Sequence, residues 1–120
     1  MLTHIYDFVV IGSGISGISA ANTLIKNNKH ILILDKARNS GGRLSTRIHP
    51  TFSFDHGAQF FTTKDLEFSQ IVQEAIQTKE IAILEHPKKG KVYVGNPAFR
   101  PFISKLTSSL EIMQNASVTH

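Results

Sequence analysis

Gly12-Ser13-Gly14-Ile15-Ser16-Gly17 is the segment of this 120-residue chain whose residue types and spacing point most directly to chemistry. A GxGxxG run carries meaning where a strand precedes it, a helix follows it and an acid closes the next strand. All three are present. The apolar run Tyr6–Ile11 stands before it, Ile15, Ile18, Ala21, Leu24 and Ile25 follow at helical spacing, and Asp35 ends a second apolar run, His30–Leu34. In such a loop Gly12 allows a tight turn, Gly14 lets a pyrophosphate approach the backbone, and Gly17 lets helix and strand pack closely. The helix N-terminus then offers N–H groups and a positive dipole end to phosphates. Asp35, 23 residues after Gly12, has the spacing of an acid that binds ribose hydroxyls. Gly12, Ser13, Gly14, Ile15, Ser16, Gly17 and Asp35 are therefore the first candidate ligand-binding residues, and the ligand expected is a dinucleotide.

Two other glycine-loop chemistries fail on their residues. A triphosphatase loop needs Gly-Lys-Ser/Thr, whereas Ile18 and Ser19 follow Gly17. A serine-hydrolase elbow needs glycine two positions either side of its serine, and Ser16 has Gly14 before it but Ile18 after. Asp35 disfavours a ribose 2′-phosphate, because two anions would meet in a partly dry site, although Lys36 and Arg38 soften that repulsion. The loop alone leaves FAD and NAD both open.

The elements that must position these residues read as strand, helix and strand over residues 5–35, the size of a right-handed βαβ unit with a buried first strand. Asn27 and Asn28 stop the helix. Residues 36–50 show neither period and form a loop, with Gly41, Gly42 and three arginines. The remainder, 51–120, starts with an alternating strand, Thr51–Asp55, that puts Phe52 and Phe54 on one core face. A helical stripe over Asp65–Thr78 follows, with Thr62 as its cap. Ile81–Leu84 and Lys91–Val94 are strands around a Pro87–Gly90 turn. Pro101 opens a helix lined by Phe99, Phe102, Ile103, Leu106 and Leu110, and Glu111–Met113 starts a third parallel strand. The fold class expected is α/β: a Rossmann-like FAD/NAD(P)-binding fold, with a parallel sheet and helices, in incomplete form.

Composition agrees with one globular domain. The chain is 41% hydrophobic and 18% charged, with a net charge of +4 and no cysteine. These values argue against disorder and exclude disulfides, thiolate metal sites and cysteine nucleophiles. The longest N-terminal apolar run, Phe8–Ile11, is too short for a signal peptide or a membrane span, so a cytoplasmic protein without membrane contact is expected. The histidines, His4, His30, His49, His56, His86 and His120, lack metal-ligand spacing, and no metal is expected. The aromatic residues have no basic stripe beside them, so nucleic acid is not an expected partner.

Beyond Asp35, Arg38-Asn39-Ser40-Gly41-Gly42-Arg43-Leu44-Ser45-Thr46-Arg47 resembles the paired-glycine motif that follows the second strand in flavin amine oxidases and their relatives. Phe54-Asp55-His56-Gly57-Ala58-Gln59-Phe60-Phe61-Thr62 resembles the Asp-x-Gly-Ala-Gln-Tyr/Phe-Phe segment of the renalase-like branch of that superfamily. Val94-Gly95-Asn96-Pro97 resembles its Gly-x-Pro-x-Met segment, with Phe99 where methionine is usual. The resemblance spans Asp7 to about Leu110 in the expected order. It implies bound FAD, lined by Gly12–Gly17, Asp35 or Lys36, Gly42 and Arg43, with the Gly57, Ala58, Gln59 turn toward the flavin; with no cysteine and no clear case for His56, the flavin is expected to be held noncovalently. It also implies hydride removal from a reduced organic substrate, a dihydronicotinamide or an amine, and no residue is marked as catalytic. Members of that group are longer, two-domain enzymes, so a truncated form holding the dinucleotide half-site is expected. Such a form would have exposed apolar edges and would depend on a missing C-terminal segment or a homo-oligomer. The alternatives are a non-catalytic module holding NAD or FAD, and a remnant that binds nothing.

Overall fold

The computed structural model describes residues 5–120, so His4 lies outside it. In chain order the elements are β1 (Phe8–Ile11), α1 (Ile15–Lys26), β2 (Ile31–Leu34), β3 (Thr46–His49), β4 (Phe52–Asp55), α2 (Leu66–Gln77), β5 (Ile81–His86), β6 (Gly90–Gly95), α3 (Arg100–Thr107) and β7 (Ile112–Met113). A short 3-10 turn covers Gly42–Leu44. The chain divides into two units: the part up to Gly42 together with Lys105–His120, and Arg43–Ser104.

The first unit is a three-stranded parallel sheet in the order β1-β2-β7. Phe8 pairs with Ile31 and Ile11 with Leu34, while Ile33 pairs with Ile112. β2 holds the centre, and its alternation buries Ile31 and Ile33 against Ala21 of α1. Val10, Leu24, Ile25, Leu110 and Ile112 pack around that cluster. Each fully buried isoleucine stabilises the unit by about 1.5–3 kcal/mol. Asn27 caps the end of α1 and Asn28 takes a left-handed φ of 60°, which turns the chain toward β2. The α/β fold and the parallel order expected from the sequence are present.

β1 departs from the expected buried strand. Phe8, Val9 and Ile11 are 47%, 51% and 69% exposed, because β1 is an edge strand hydrogen-bonded on the β2 side. Leu110 departs as well: α3 ends at Thr107, so Leu110 leaves the helical stripe and packs on the β2 cluster instead.

The second unit is antiparallel. β3 pairs with β4, and β5 with β6. Residues 36–50, read as a loop, thus contain a 3-10 turn and a strand; four residues with one half-buried position carry too little alternation to register as a period. Phe61 is the hub of the core. Its ring centroid lies 5.6 Å from Phe68, 5.7 Å from Tyr93 and Phe99, and 6.2 Å from Phe102. Phe61 and Tyr93 also exchange backbone hydrogen bonds at 3.0 and 2.9 Å.

Two further expectations fail in this unit. Asp65, not Thr62, caps α2, its carboxylate accepting the Phe68 N–H at 2.9 Å. An aspartate adjoining the first helical residue reaches that N–H, while a threonine three positions earlier cannot. Phe52 and Phe54 are 55% and 44% exposed. They stack on each other and Phe52 on His49, on a two-stranded sheet with no core beneath that face.

Candidate functional site

The glycine loop sits at the carboxyl end of β1, the position where open parallel sheets bind ligands. Gly12 has φ 97°, a value that favours glycine, and its N–H donates to Leu34 O at 2.7 Å, tying the loop to the end of β2. Gly14 is the N-cap of α1 with an extended backbone and no side-chain cap. Among the described residues the first-turn N–H groups, from Ile15 to Gly17, therefore have no capping oxygen, and they carry the positive end of the helix dipole.

The three motif glycines serve two purposes. A Cβ built on Gly12 or Gly14 would meet nothing within 4 Å. A Cβ on Gly17 would lie 2.0 Å from Gly12 O, so Gly17 is required by the close packing of helix on loop. The open space in front of Gly14, above uncapped N–H groups, fits a diphosphate that must approach the main chain.

Ser13 is fully buried and holds the loop from behind. Its N–H donates to Asp35 Oδ2 at 2.8 Å, and its hydroxyl donates to the same oxygen. The other carboxylate oxygen accepts the Ala37 N–H at 2.9 Å. Burial pushes the Asp35 carboxyl up; the Ser13 hydroxyl, the Ala37 and Ser13 amides and the charge of Lys36 outweigh it and leave the group below its ordinary value. Asp35 is thus an anion fixed at the end of β2, as a ribose-binding acid must be; Oδ2 already accepts two hydrogen bonds, and Oδ1, which accepts one, has a second lone pair for a ligand.

The paired-glycine segment joins the same cradle. Gly41 forms a parallel bridge with Gly14 and donates its N–H to Ser13 O at 2.8 Å. A Cβ on Gly42 would sit 3.1 Å from Gly14 Cα. The structure therefore brings together Gly12, Ser13, Gly14, Ile15, Ser16, Gly17, Asp35 and Gly42, with Lys36 exposed beside Asp35.

Arg43, Gly57, Ala58 and Gln59 form a group of their own in the second unit. The Arg43 carbonyl oxygen accepts the Ala58 N–H at 2.7 Å, and a Cβ on Gly57 would lie 2.1 Å from it. Gln59 Nε2 donates to Asp55 O at 2.7 Å. Arg43 thus contributes its main chain to the turn, while its side chain is exposed.

Asp55 is the residue that the sequence reading missed. Its Oδ1 accepts the Thr46 hydroxyl at 2.6 Å, and its two oxygens accept the Phe99 N–H at 3.0 and 3.2 Å. Arg100 N–H donates to the Thr46 hydroxyl oxygen at 3.1 Å. The pair therefore satisfies the start of α3 with a carboxylate at its positive end. Gly95 permits the arrangement, since a Cβ there would lie 2.0 Å from Ala98 C. No local pattern marks this contact, because 44 residues separate Asp55 from Phe99.

Among the described residues no group of three or more His, Asp or Glu side chains is placed to hold a metal, and no helix is long and apolar enough to cross a membrane.

Known proteins are similar to this chain in sequence. The profile of a family described as an NAD(P)-binding Rossmann-like domain matches residues 10–75. The flavin-containing amine oxidase A of Bos taurus is 33% identical over 103 residues, which cover 82% of this chain and 20% of that protein. A phytoene desaturase of Cercospora nicotianae is 41% identical over 49 residues, 41% of this chain and 8% of that protein. A UDP-galactopyranose mutase of Mycoplasma pneumoniae is 30% identical over 71 residues, 57% of this chain and 18% of that protein. The chain spans about a fifth of the length of the amine oxidases it matches.

Proposed function

The chain belongs to the NAD(P)-binding Rossmann-like domain family, and from that premise we propose that it holds FAD noncovalently as the dinucleotide-binding part of a renalase-like oxidoreductase. The observation that carries the reading is the open space at Gly14 above the uncapped first turn of α1, closed from behind by Ser13 and Asp35. Family membership supports a dinucleotide. Likeness to flavin-containing amine oxidases over 82% of the chain favours the flavin form, and the Asp55–Phe61 resemblance favours the renalase-like branch.

In this reading the amides from Ile15 to Gly17 bind the diphosphate, and Asp35 accepts hydrogen bonds from the adenosine ribose. Gly42 keeps the loop close to Gly14, and Lys36 and the Arg43 guanidinium supply positive charge to the anionic cofactor. The Gly57, Ala58, Gln59 turn, fixed by the Arg43 carbonyl and by Asp55, serves the flavin end. Bound flavin supplies the hydride acceptor, and the substrate class is a reduced small molecule, a dihydronicotinamide or an amine.

A second reading is an NAD-holding module without chemistry of its own; the family's description as NAD(P)-binding supports its choice of dinucleotide. The visible spectrum of the purified protein, followed by parallel titrations with FAD and NADH, separates the two. Yellow protein, or a colourless one that FAD reconstitutes, is the expected result. Quenching of NADH fluorescence with no FAD uptake would support the module, and binding of neither would remove both.

A further inference from the structure

We propose that Gln114 is a positioning residue for the dinucleotide cradle and acts through Ser40; the inference rests on the reading that this cradle takes a dinucleotide diphosphate. Gln114 follows β7, and its Nε2 donates to Ser40 Oγ at 2.8 Å across 74 residues of sequence. Ser40 adjoins Gly41, whose N–H holds Ser13 O and whose backbone bridges Gly14. Two short links therefore connect the carboxamide to the glycine whose exposed face receives the ligand.

The backbone alone does not make this connection. Asn115 N–H donates to Ala37 O at 3.0 Å and Ala116 N–H to Asp35 O at 2.8 Å, which anchors residues 35–37. Among the described residues, Gln114 is the side chain that carries the tether on to Ser40, just before the paired glycines.

Its other amide atom shows what the residue is for. Gln114 Oε1 is buried and has no hydrogen-bond partner among the described residues. In either amide orientation the Ser40 link is kept, because the Ser40 hydroxyl can accept from the amide nitrogen or donate to the amide oxygen. A buried polar atom without a partner works against folding. An apolar side chain of similar length would serve stability at least as well, so the amide is explained by what it holds.

The test uses the 120-residue chain, ADP as the probe, isothermal calorimetry for affinity and thermal denaturation of the ligand-free protein. Gln114→Met and Ser40→Ala should each raise the Kd for ADP about 3–10-fold, the range of one lost hydrogen bond. The double variant should be no weaker than the weaker single, because both remove one link. The thermal midpoint of Gln114→Met should equal or exceed that of the parent. Unchanged ADP affinity in Gln114→Met would overturn the proposal, as would additive single effects or a midpoint that falls in step with affinity. If Gln114→Met does not fold, Ser40→Ala decides by the same criterion. Gly14→Val is the control for the underlying reading. Failure of the parent to bind ADP, or undiminished binding by Gly14→Val, would remove the cradle and the proposal together. Loss in Gly14→Val with none in Gln114→Met would remove the proposal alone.

Discussion

At Gly14, in the first unit, an added Cβ would meet nothing within 4 Å, whereas at Gly57, in the second, it would lie 2.1 Å from the Arg43 carbonyl oxygen. Both glycines stand in motifs that read as cofactor-binding, yet one leaves a surface open and the other lets two pieces of main chain touch. The same contrast runs through their neighbours. In the first unit the helix start has no side-chain cap, leaving donors for a ligand. In the second, the start of α3 is satisfied by Asp55 and Thr46. Gly14 thus leaves room for a ligand against the main chain, whereas Gly57 is required by the contact of two main-chain segments.

Substitutions that introduce a Cβ should separate the two kinds of glycine most strongly. Gly17→Ala and Gly57→Ala each force an oxygen–carbon contact near 2 Å, and each should lower stability by about 2–3 kcal/mol in urea titrations. Gly14→Ala should cost less than about 1 kcal/mol, the scale of an altered N-cap. Equal losses at all three positions would erase the distinction. Next in size, Asp55→Ala should destabilise by about 1–2 kcal/mol through loss of the α3 cap. The same variant should also shift the NMR signal of the Phe99 amide.

Acid should test the partners of Asp35. The Asp35 carboxyl is held below its ordinary value, so its contribution is complete above about pH 4 and is lost as pH falls through the lower folded value. Asp35→Asn should flatten the acid side of the stability profile. An unchanged acid slope would show that the Ser13 contacts do not favour the charged form. Smallest of all, Phe52→Ser should change stability by no more than about 0.5 kcal/mol, since the ring is 55% exposed. A loss of several times that would restore the core face expected from its alternation.

Local signals explain what the sequence made readable. The β1-α1-β2 order, the Asn27 stop, the β5-β6 hairpin and the third parallel strand follow from apolar period and from residues that punctuate the backbone. The place of the glycine loop between β1 and α1, and of Asp35 just after β2, was also legible, because it follows from spacing. Contacts that cross the chain were not. The Asp55–Phe99 cap, the Ser13–Asp35 pair and the Gln114–Ser40 link join residues 22 to 74 positions apart. Edge position was hidden too: Phe8–Ile11 has the composition of a buried strand, and only its place in the sheet order exposes it. Phe52 and Phe54 share that cause, since alternation identifies a common face without showing whether anything packs on it.

The central claim is that main-chain amides at the start of α1 receive a dinucleotide diphosphate through the gap that Gly14 leaves. FAD titration of the parent chain and of Gly14→Val, each checked for an unchanged circular dichroism spectrum, addresses it directly. The parent should bind FAD and Gly14→Val should show no saturable binding, because the added side chain fills the approach to those amides. Equal affinity in the two proteins would contradict the account.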